Sequence, residues 1–244
     1  MKPFVLLATR DHDEAAEAEY HSVLRHTGLD EGDLIRLRVE AAPLPELDVD
    51  DFSGFLLGGS SFSISDPVKS ELQQRVESDL GRLLGEVVRR DVAFLGMCYG
   101  IGTITSLCGG VVDATHAEPV GGVGITVTDA GTADPLLEGV GGSFIAFVGH
   151  KESCARPPAD AVVLATGEAC PVQMYRLGRR VYVTQFHPEL DANDLAQRMR
   201  IYSHAGYFAP DELDDLIAMA RASGVDGTQH RILRNFVTRF AQSR

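Results

Sequence analysis

A short run around Cys98 has the features of a catalytic cysteine. The apolar residues 92–95 lead into Gly96-Met97-Cys98-Tyr99-Gly100, so a glycine stands two residues before and two residues after the thiol. These glycines permit the tight strand-to-helix turn that exposes a nucleophile, and a helix N-terminus lowers the pKa of a thiol. We expect a helix over 103–107. The same pattern also suits a buried cysteine where a helix packs on a sheet.

A second run supplies the groups that a catalytic cysteine needs. The strand-like residues 181–185 are followed by Phe186-His187-Pro188-Glu189. A cysteine nucleophile requires a base that takes the thiol proton and returns it to the leaving group, and a carboxylate that fixes the imidazole tautomer. Strand ends gather at one edge of an α/β sheet, so we predict that His187 and Glu189 lie beside Cys98. Without Cys98, a surface histidine at a strand end would be the better interpretation.

The strands that must position these residues are short and apolar. They alternate with amphipathic stretches over the first two thirds of the chain, which is typical of an α/β fold with a mostly parallel central sheet flanked by helices. The expected strands are residues 4–8, 35–39, 55–57, 92–95, 123–128, 144–148, 162–165, 172–175 and 181–185. The last two flank Gly178 in the pattern of a hairpin.

Helices are predicted by apolar residues at helical spacing. Such spacing favours a helix over 13–27 that is closed by a glycine, and a second helix over 66–90 that begins with an Asp-Pro pair. From Asp191 the periodicity predicts helices up to the end of the chain. We therefore expect residues 1–190 to form the main domain and 191–244 to be a helical C-terminal extension of the same domain.

The composition excludes several classes of protein. The 244 residues contain 22 Lys and Arg against 35 Asp and Glu, which gives a net charge of −13, and no basic tract occurs. Nucleic acids and anionic membrane surfaces are therefore unlikely partners, and no apolar run approaches the ~18 residues that cross a bilayer. The acidic runs 11–19 and 211–215 are expected to be solvated helix faces. The four cysteines lack secreted or zinc-site spacing, so we expect a cytoplasmic protein without a metal or cofactor.

The motifs at 96–100 and 185–189 together resemble those of class I (triad) glutamine amidotransferases. Two further segments resemble the same family: Phe-Leu-Leu-Gly-Gly-Ser-Ser at 55–61 stands where the family has a strand and Gly-Gly-Pro, and 149–152 stands where it has a Ser-His-Gly-Asp-like turn. The resemblance covers about residues 3–190. Within the family, the chain looks most similar to the stand-alone chains that resemble the glutaminase part of GMP synthase. The resemblance implies a flavodoxin-like α/β fold.

The resemblance implies roles for five residues of the reaction centre. Cys98 would be the nucleophile, His187 the general base and acid, and Glu189 the residue that orients the imidazole. The backbone N–H groups of Gly59 and Tyr99 would form the oxyanion hole, where negative charge develops in the tetrahedral intermediate.

The substrate contacts implied by the resemblance lie at Ser61, Gly102, His150 and Lys151. The family has a glutamine where this chain has Gly102, a proline where it has Ser60, and a glycine where it has Lys151. One expected hydrogen bond to the substrate is therefore missing, and the rim of the pocket differs from the family pattern.

The implied function is hydrolysis of the glutamine side-chain amide through a γ-glutamyl thioester. Because the sequence has neither an ATP-pyrophosphatase loop nor a Walker loop, the ammonia would serve a separate ATP-dependent synthetase chain. Two alternatives stay open: a γ-glutamyl hydrolase that acts on γ-glutamyl amides or peptides, which the glycine at 102 favours slightly, and a non-catalytic binding module on the same fold. The sequence is also compatible with a homo-oligomer.

Overall fold

Nine strands form one sheet in the computed structural model, which describes residues 1–203 and 208–243. The strands of the described residues are β1 (Phe4–Thr9), β2 (Leu34–Arg38), β3 (Gly54–Ser60), β4 (Phe94–Met97), β5 (Val111–Asp113), β6 (Glu118–Val127), β7 (Ser143–His150), β8 (Ser153–Arg156), β9 (Val162–Gly167), β10 (Met174–Leu177) and β11 (Val181–Thr184). The order in the sheet is β2-β1-β3-β4-β11-β10-β9-β6-β7, and β5 pairs with β8 separately.

The predicted parallel central sheet with flanking helices is confirmed. Strands β2, β1, β3, β4 and β11 run parallel, and the antiparallel strands β10, β9, β6 and β7 extend the sheet on the β11 side. The hairpin between β10 and β11 is also confirmed, with Gly178 at φ 55°. The strands β5 and β8 were not predicted, because three or four residues are too few to show an alternating pattern.

Helices cover both faces of the sheet. They are α1 (Asp13–Thr27), α2 (Glu71–Arg89), α3 (Tyr99–Leu107), α4 (Asp129–Thr132), α5 (Ala192–Ile201), α6 (Leu213–Ala222) and α7 (His230–Phe240). Alternate residues of β1 point to opposite faces: Phe4 and Leu6 pack in the core shared with α1 and α7, and Val5 and Leu7 pack in the core shared with α2 and α3. No helix of the described ranges is long and apolar enough to cross a membrane.

The first helix agrees with the sequence prediction, and the second begins later than expected. Helix α1 ends at a left-handed glycine, Gly28, at φ 75°. Helix α2 begins after Ser70, whose hydroxyl accepts a hydrogen bond from the Gln73 N–H. The Asp66 carboxylate instead accepts a hydrogen bond from the Ser63 N–H at 3.1 Å. The Asp-Pro pair therefore belongs to a turn before the helix, because the Asp66 carboxylate bonds a backbone N–H within that turn and does not cap the helix.

The solvated-face prediction is correct for one acidic run and wrong for a residue in the other. The acidic side chains of 211–215 are exposed. In α1, however, Glu19 is fully buried, on the same stripe as Ala15, Ala16 and Val23. The stripe follows the i, i+4, i+8 spacing of a buried helix face. Glu19 is therefore buried because it stands on that face, although its side chain is charged.

We expect Phe236→Ala in α7 to lower the free energy of unfolding by about 3–5 kcal/mol, because it removes a large ring from a filled core. The ring is fully buried and lies 5.9 Å from the ring of Phe4 in β1. Phe240→Ala is the matched control on the same helix, where the ring is only partly buried, and it should cost less. Urea denaturation measures both.

The same experiment tests the domain boundary. If residues 191–244 are an extension of the main domain, as we infer, Phe236→Ala shifts one cooperative transition. Two separate transitions, with only the second shifted, would contradict this inference.

Candidate active site

Cys98 occupies a strained turn between β4 and α3. Its φ of 55° and ψ of −89° lie outside the regions that side chains normally adopt, which costs on the order of 1–3 kcal/mol and is typical of functional sites. The Cys98 N–H donates to the Thr184 carbonyl of β11 at 2.8 Å. A Cβ at Gly96 would lie 2.9 Å from the Gly100 Cα. The glycines therefore allow α3 to approach the strand, and the turn presents the thiol at the carboxyl edge of the sheet.

The structure brings the three predicted residues together. His187 follows β11, and its N–H donates to the Phe147 carbonyl of β7 at 2.9 Å. The imidazole lies beside the Cys98 side chain, close enough for that side chain to raise its pKa, and its Nδ1 is hydrogen-bonded to Glu189 Oε1 at 2.7 Å. Since a carboxylate can only accept, Nδ1 carries the proton and Nε2 is the nitrogen left to exchange a proton with the thiol.

Charge pairing changes the acidity of these groups. Burial alone would lower the pKa of His187, but Glu189 and the Cys98 side chain raise it to about 9. Burial alone would raise the pKa of Glu189, but His187 and the Arg198 guanidinium hold it well below its usual range. At neutral pH the site therefore favours an imidazolium beside an ionised carboxylate.

Three charged residues that sequence reasoning did not assign lie beneath this triad. Arg198 of α5 donates through Nη2 to Glu189 Oε1 at 3.2 Å, and the same nitrogen lies 3.8 Å from Glu19 Oε1. Arg10, just after β1, donates through Nε to Glu19 Oε1 at 3.1 Å. Sequence signals could have found two of them, since Arg10 follows a strand at the carboxyl edge and Glu19 stands on the apolar stripe of α1, whereas nothing in the local sequence marks Arg198.

The two proposed oxyanion donors differ in their surroundings. The Gly59 N–H donates to the buried Glu19 carboxylate, at 3.2 Å from Oε1. In this structure the Gly59 N–H therefore already has an acceptor. A Cβ at Gly59 would lie 2.3 Å from Arg10 Nη2. The Tyr99 N–H begins α3, where the first N–H groups have no acceptor within the helix. Tyr99 is therefore the donor that the fold leaves available.

Two cavities meet at the thiol, and both include Ser60, Cys98 and Gly149 in their walls. The first, the polar cavity, is further lined by Phe62, Ser63, Tyr99, Gly102, Val112, His150, Lys151, Glu152, Ser153 and Gln185. The second, the apolar cavity, is further lined by Arg10, Val120, Val148, His187, Leu190, Leu195, Arg198, Met199, Tyr202 and Phe208. Cys98 thus stands between a polar and an apolar compartment.

The residues expected to contact a substrate are placed unequally. Gly102, His150 and Lys151 line the polar cavity. The described wall of this cavity contains Ser60 and Phe62, the two neighbours of Ser61, but not Ser61 itself. Both ring nitrogens of His150 already have internal partners, Glu118 Oε2 at 3.0 Å and the Glu152 carbonyl at 2.9 Å. His150 is therefore part of the supporting wall.

Glu152 fills the space beside Gly102. Its carboxylate accepts hydrogen bonds from the backbone N–H groups of Ile64 and Ser65, each at 2.7 Å. A Cβ at Gly102 would lie 3.3 Å from Glu152 Oε1 and 3.3 Å from Ile64 Cγ1. A longer side chain at 102 would have to displace the carboxylate that holds this loop.

A second Cys, His and Glu group lies nearby but has a different character. Ligand atoms of Glu118, His150 and Cys170 lie within 4.8 Å of one another, and Gln173 Nε2 donates to Glu118 Oε2 at 2.7 Å. Cys170 is fully buried, and burial raises its pKa to about 11. Its thiol therefore stays protonated and closed to substrate. The three ligand types would suit a zinc ion, but Glu118 already bonds His150 and Gln173 directly.

The comparisons with known proteins agree with this geometry. A family model described as glutamine amidotransferase class-I matches residues 75–200. One component chain of the glutamine-hydrolysing GMP synthase of Methanothermobacter thermautotrophicus is 26% identical over 188 residues, which are 77% of this chain and 89% of that one. The GMP synthase of Caldanaerobacter subterraneus is 32% identical over 106 residues, which are 43% of this chain and 20% of that protein.

The structural comparison shows the fold. The crystal structure of a glutamine amidotransferase from Thermotoga maritima has a TM-score of 0.78, with 17% identity and coverage of 100% of both chains. The matched segment 75–200 contains Cys98, His187 and Glu189. The matched part of the chain spans 20% of the GMP synthase of Caldanaerobacter subterraneus and 38% of that of Christiangramia forsetii, so the chain corresponds to only part of their length.

The ion pair between His187 and Glu189 predicts a specific dependence of stability on pH. The raised pKa of His187 contributes stability that is fully present below pH 6.5 and lost as the pH rises through about 9. The lowered pKa of Glu189 contributes stability that is present above pH 4.5 and lost below it. We therefore expect Glu189→Gln to be most destabilising between pH 4.5 and 6.5, by about 3 kcal/mol.

Urea denaturation at pH 5.5, 7.5 and 9.5 checks this dependence. Glu46→Gln is the matched control, because Glu46 is exposed and its loss should leave the profile unchanged. An equal loss of stability at all three pH values in Glu189→Gln would show that the pair does not titrate as described.

The crowding at Gly102 predicts that Gly102→Gln destabilises the protein by about 1–3 kcal/mol through overpacking. Combining it with Glu152→Ala makes room for the new side chain, so the pair should be less destabilising than the sum of the two single changes. Gly81→Gln in α2 is the control, since no atom lies within 4 Å of its added Cβ. Thermal denaturation of the four variants decides the matter, and additive losses would rule out the clash.

Proposed function

Because this chain belongs to the class-I glutamine amidotransferase family, we propose that it hydrolyses the side-chain amide of glutamine through a γ-glutamyl thioester on Cys98. One observation carries the proposal: the Cys98 side chain shares a cavity wall with an imidazole whose Nδ1 is hydrogen-bonded to Glu189 Oε1 at 2.7 Å. The imidazole lies between the nucleophile and the orienting carboxylate, which is the arrangement that cysteine acyl transfer requires.

The first chemical step follows from the protonation of the pair. His187 holds the thiol proton, and the Cys98 thiolate attacks the amide carbon to form an Sγ–C bond. The C–N bond then breaks as His187 Nε2 gives its proton to the departing nitrogen. A pKa of about 9 keeps this proton on His187 at neutral pH until the leaving group needs it.

The second step returns the enzyme to its starting state. With ammonia gone, His187 accepts a proton from water, whose oxygen attacks the thioester carbon. The Sγ–C bond breaks and glutamate leaves. In both tetrahedral intermediates the oxyanion is stabilised by the Tyr99 N–H, and the Gly59 N–H contributes to the extent that it turns away from Glu19 Oε1.

The polar cavity is the proposed site of the γ-glutamyl group. It offers polar groups and charges of both signs, as an amino acid with an α-ammonium and an α-carboxylate requires. Lys151 stands in its wall with a charge opposite to that of the α-carboxylate. Gln185, a residue that the sequence analysis did not assign, lines the same cavity with a buried Oε1 that has no protein partner, so this oxygen can accept a hydrogen bond from the α-ammonium.

A separate ATP-dependent synthetase chain is the proposed consumer of the ammonia. The relatives include one component chain of a glutamine-hydrolysing GMP synthase. The C-terminal helices are the proposed contact surface, because Arg198 of α5 touches Glu189 directly. Movement of α5 on binding would therefore reach the triad through Arg198, whose guanidinium lies within 3.3 Å of both Glu189 Oε1 and His187 Nδ1.

The proposal predicts a graded loss of activity. Cys98→Ala should abolish release of glutamate from glutamine and labelling by a glutamine-like electrophile. His187→Ala should lose a similar factor, on the order of 10⁴-fold or more, because nucleophile and base act as a unit. Glu189→Gln should retain more activity, because it only orients the imidazole.

Glutamate release and intact-mass labelling measure these effects, with Tm recorded to confirm folding. Cys154→Ala is the matched control, since burial raises the pKa of that thiol, and it should keep activity and labelling. Stoichiometric labelling that survives in Cys98→Ala would overturn the assignment of Cys98 as the nucleophile.

A further inference from the structure

The apolar cavity lies on the leaving-group side of the proposed reaction. His187 stands in its wall, together with Cys98. The amide nitrogen must face the group that protonates it, so a substrate whose γ-glutamyl part fills the polar cavity directs its nitrogen toward the apolar one. Any substituent on that nitrogen extends into this second space.

The walls of this space are formed largely by apolar side chains. Leu190, Leu195 and Met199 are buried in one cluster with Phe147, and Val120 and Phe208 pack against that cluster. Ammonia is small and polar and gains nothing from such a lining. A substituent with several methylene groups would gain about 4-fold in binding for each one removed from water.

The charges in the cavity select among such substituents. Arg10 is paired with Glu19 at 3.1 Å, and Arg198 is paired with Glu189 at 3.2 Å. Both arginines line the cavity, whereas neither Glu19 nor Glu189 does, so a substituent in the cavity meets guanidinium groups and not the carboxylates that pair with them. A cationic tail would be repelled and would lose its hydration without a partner.

We propose that the apolar cavity is a subsite for the amine part of N-substituted γ-glutamyl amides, and that the favoured amines carry an uncharged, apolar chain. The proposal rests on the thioester chemistry proposed above and extends it to a class of substrate. The Sγ–C bond forms, the C–N bond breaks, His187 gives its proton to the amine, and water completes the cycle. Glutamate and a free amine are the products.

The test compares two substrates of equal length on the full chain. γ-Glutamyl-n-pentylamide and γ-glutamyl-(4-aminobutyl)amide both have five heavy atoms beyond the amide nitrogen and differ in the charge at the end. We expect kcat/KM for the pentylamide to exceed that for the aminobutylamide by about 10-fold or more, and to equal or exceed that for glutamine. Release of amine and glutamate is measured for each.

A substitution that narrows the cavity tests its location. Val120→Phe should lower the ratio of kcat/KM for the pentylamide to that for glutamine by about 10-fold. Val68→Phe is the matched control: Val68 is 87% exposed and lies in neither of the two cavity walls, so the ratio should not change. The comparison of the two substrates on the unaltered protein stands even if Val120→Phe does not fold.

The outcomes separate this inference from the function on which it rests. Hydrolysis of glutamine with rejection of the pentylamide, or preference for the aminobutylamide, would overturn the subsite and leave the glutaminase proposal intact. Failure of all substrates together with failure of Cys98 to react with the electrophile would overturn both. A pentylamide preference that Val120→Phe leaves unchanged would place the amine outside the apolar cavity.

Discussion

The buried charge of Glu189 is the constraint on which the rest of the site depends. The carboxylate is fully buried, and an unpaired charge in that position would cost several kcal/mol. His187 balances it from one side at 2.7 Å and Arg198 from the other at 3.2 Å. Helix α5 must therefore dock against the loop that follows β11, and this requirement joins the C-terminal helices to the reaction centre.

Contacts with the backbone hold that loop in place. The Gln229 side chain donates to the Leu190 carbonyl at 2.9 Å, and His230 Nδ1 lies 2.7 Å from the Pro188 carbonyl. The Ser22 hydroxyl of α1 donates to the Glu189 carbonyl. Residues at the start of α7 thus hold both neighbours of Glu189, and α1 holds the Glu189 carbonyl, so the backbone that carries the carboxylate cannot shift without breaking these hydrogen bonds.

A second ion pair shapes the space in front of the thiol. The pair between Arg10 and Glu19 occupies the volume that side chains at Gly58 and Gly59 would need. Glu19 of this pair also accepts a hydrogen bond from the Gly59 N–H, so this proposed oxyanion donor is already engaged by the pair. On the opposite side, Glu152 takes the space beside Gly102. The wall of the polar cavity at Gly102 is therefore formed by the Glu152 carboxylate.

The sequence by itself determined most of the elements of the central sheet and the candidates for the reactive residues. The apolar strands, the helix over 13–27 and the glycine-flanked turn at Cys98 are local features, because spacing and turn geometry depend on neighbours in the chain. Only the tertiary structure decided which distant groups meet. Arg198 of α5 lies 3.8 Å from Glu19 of α1, although the two helices are far apart in the sequence. The walls of the polar and apolar cavities at Cys98 likewise combine residues from widely separated elements. No local pattern records such contacts, because burial of a charge is decided by packing and is offset only by the partner that packing supplies.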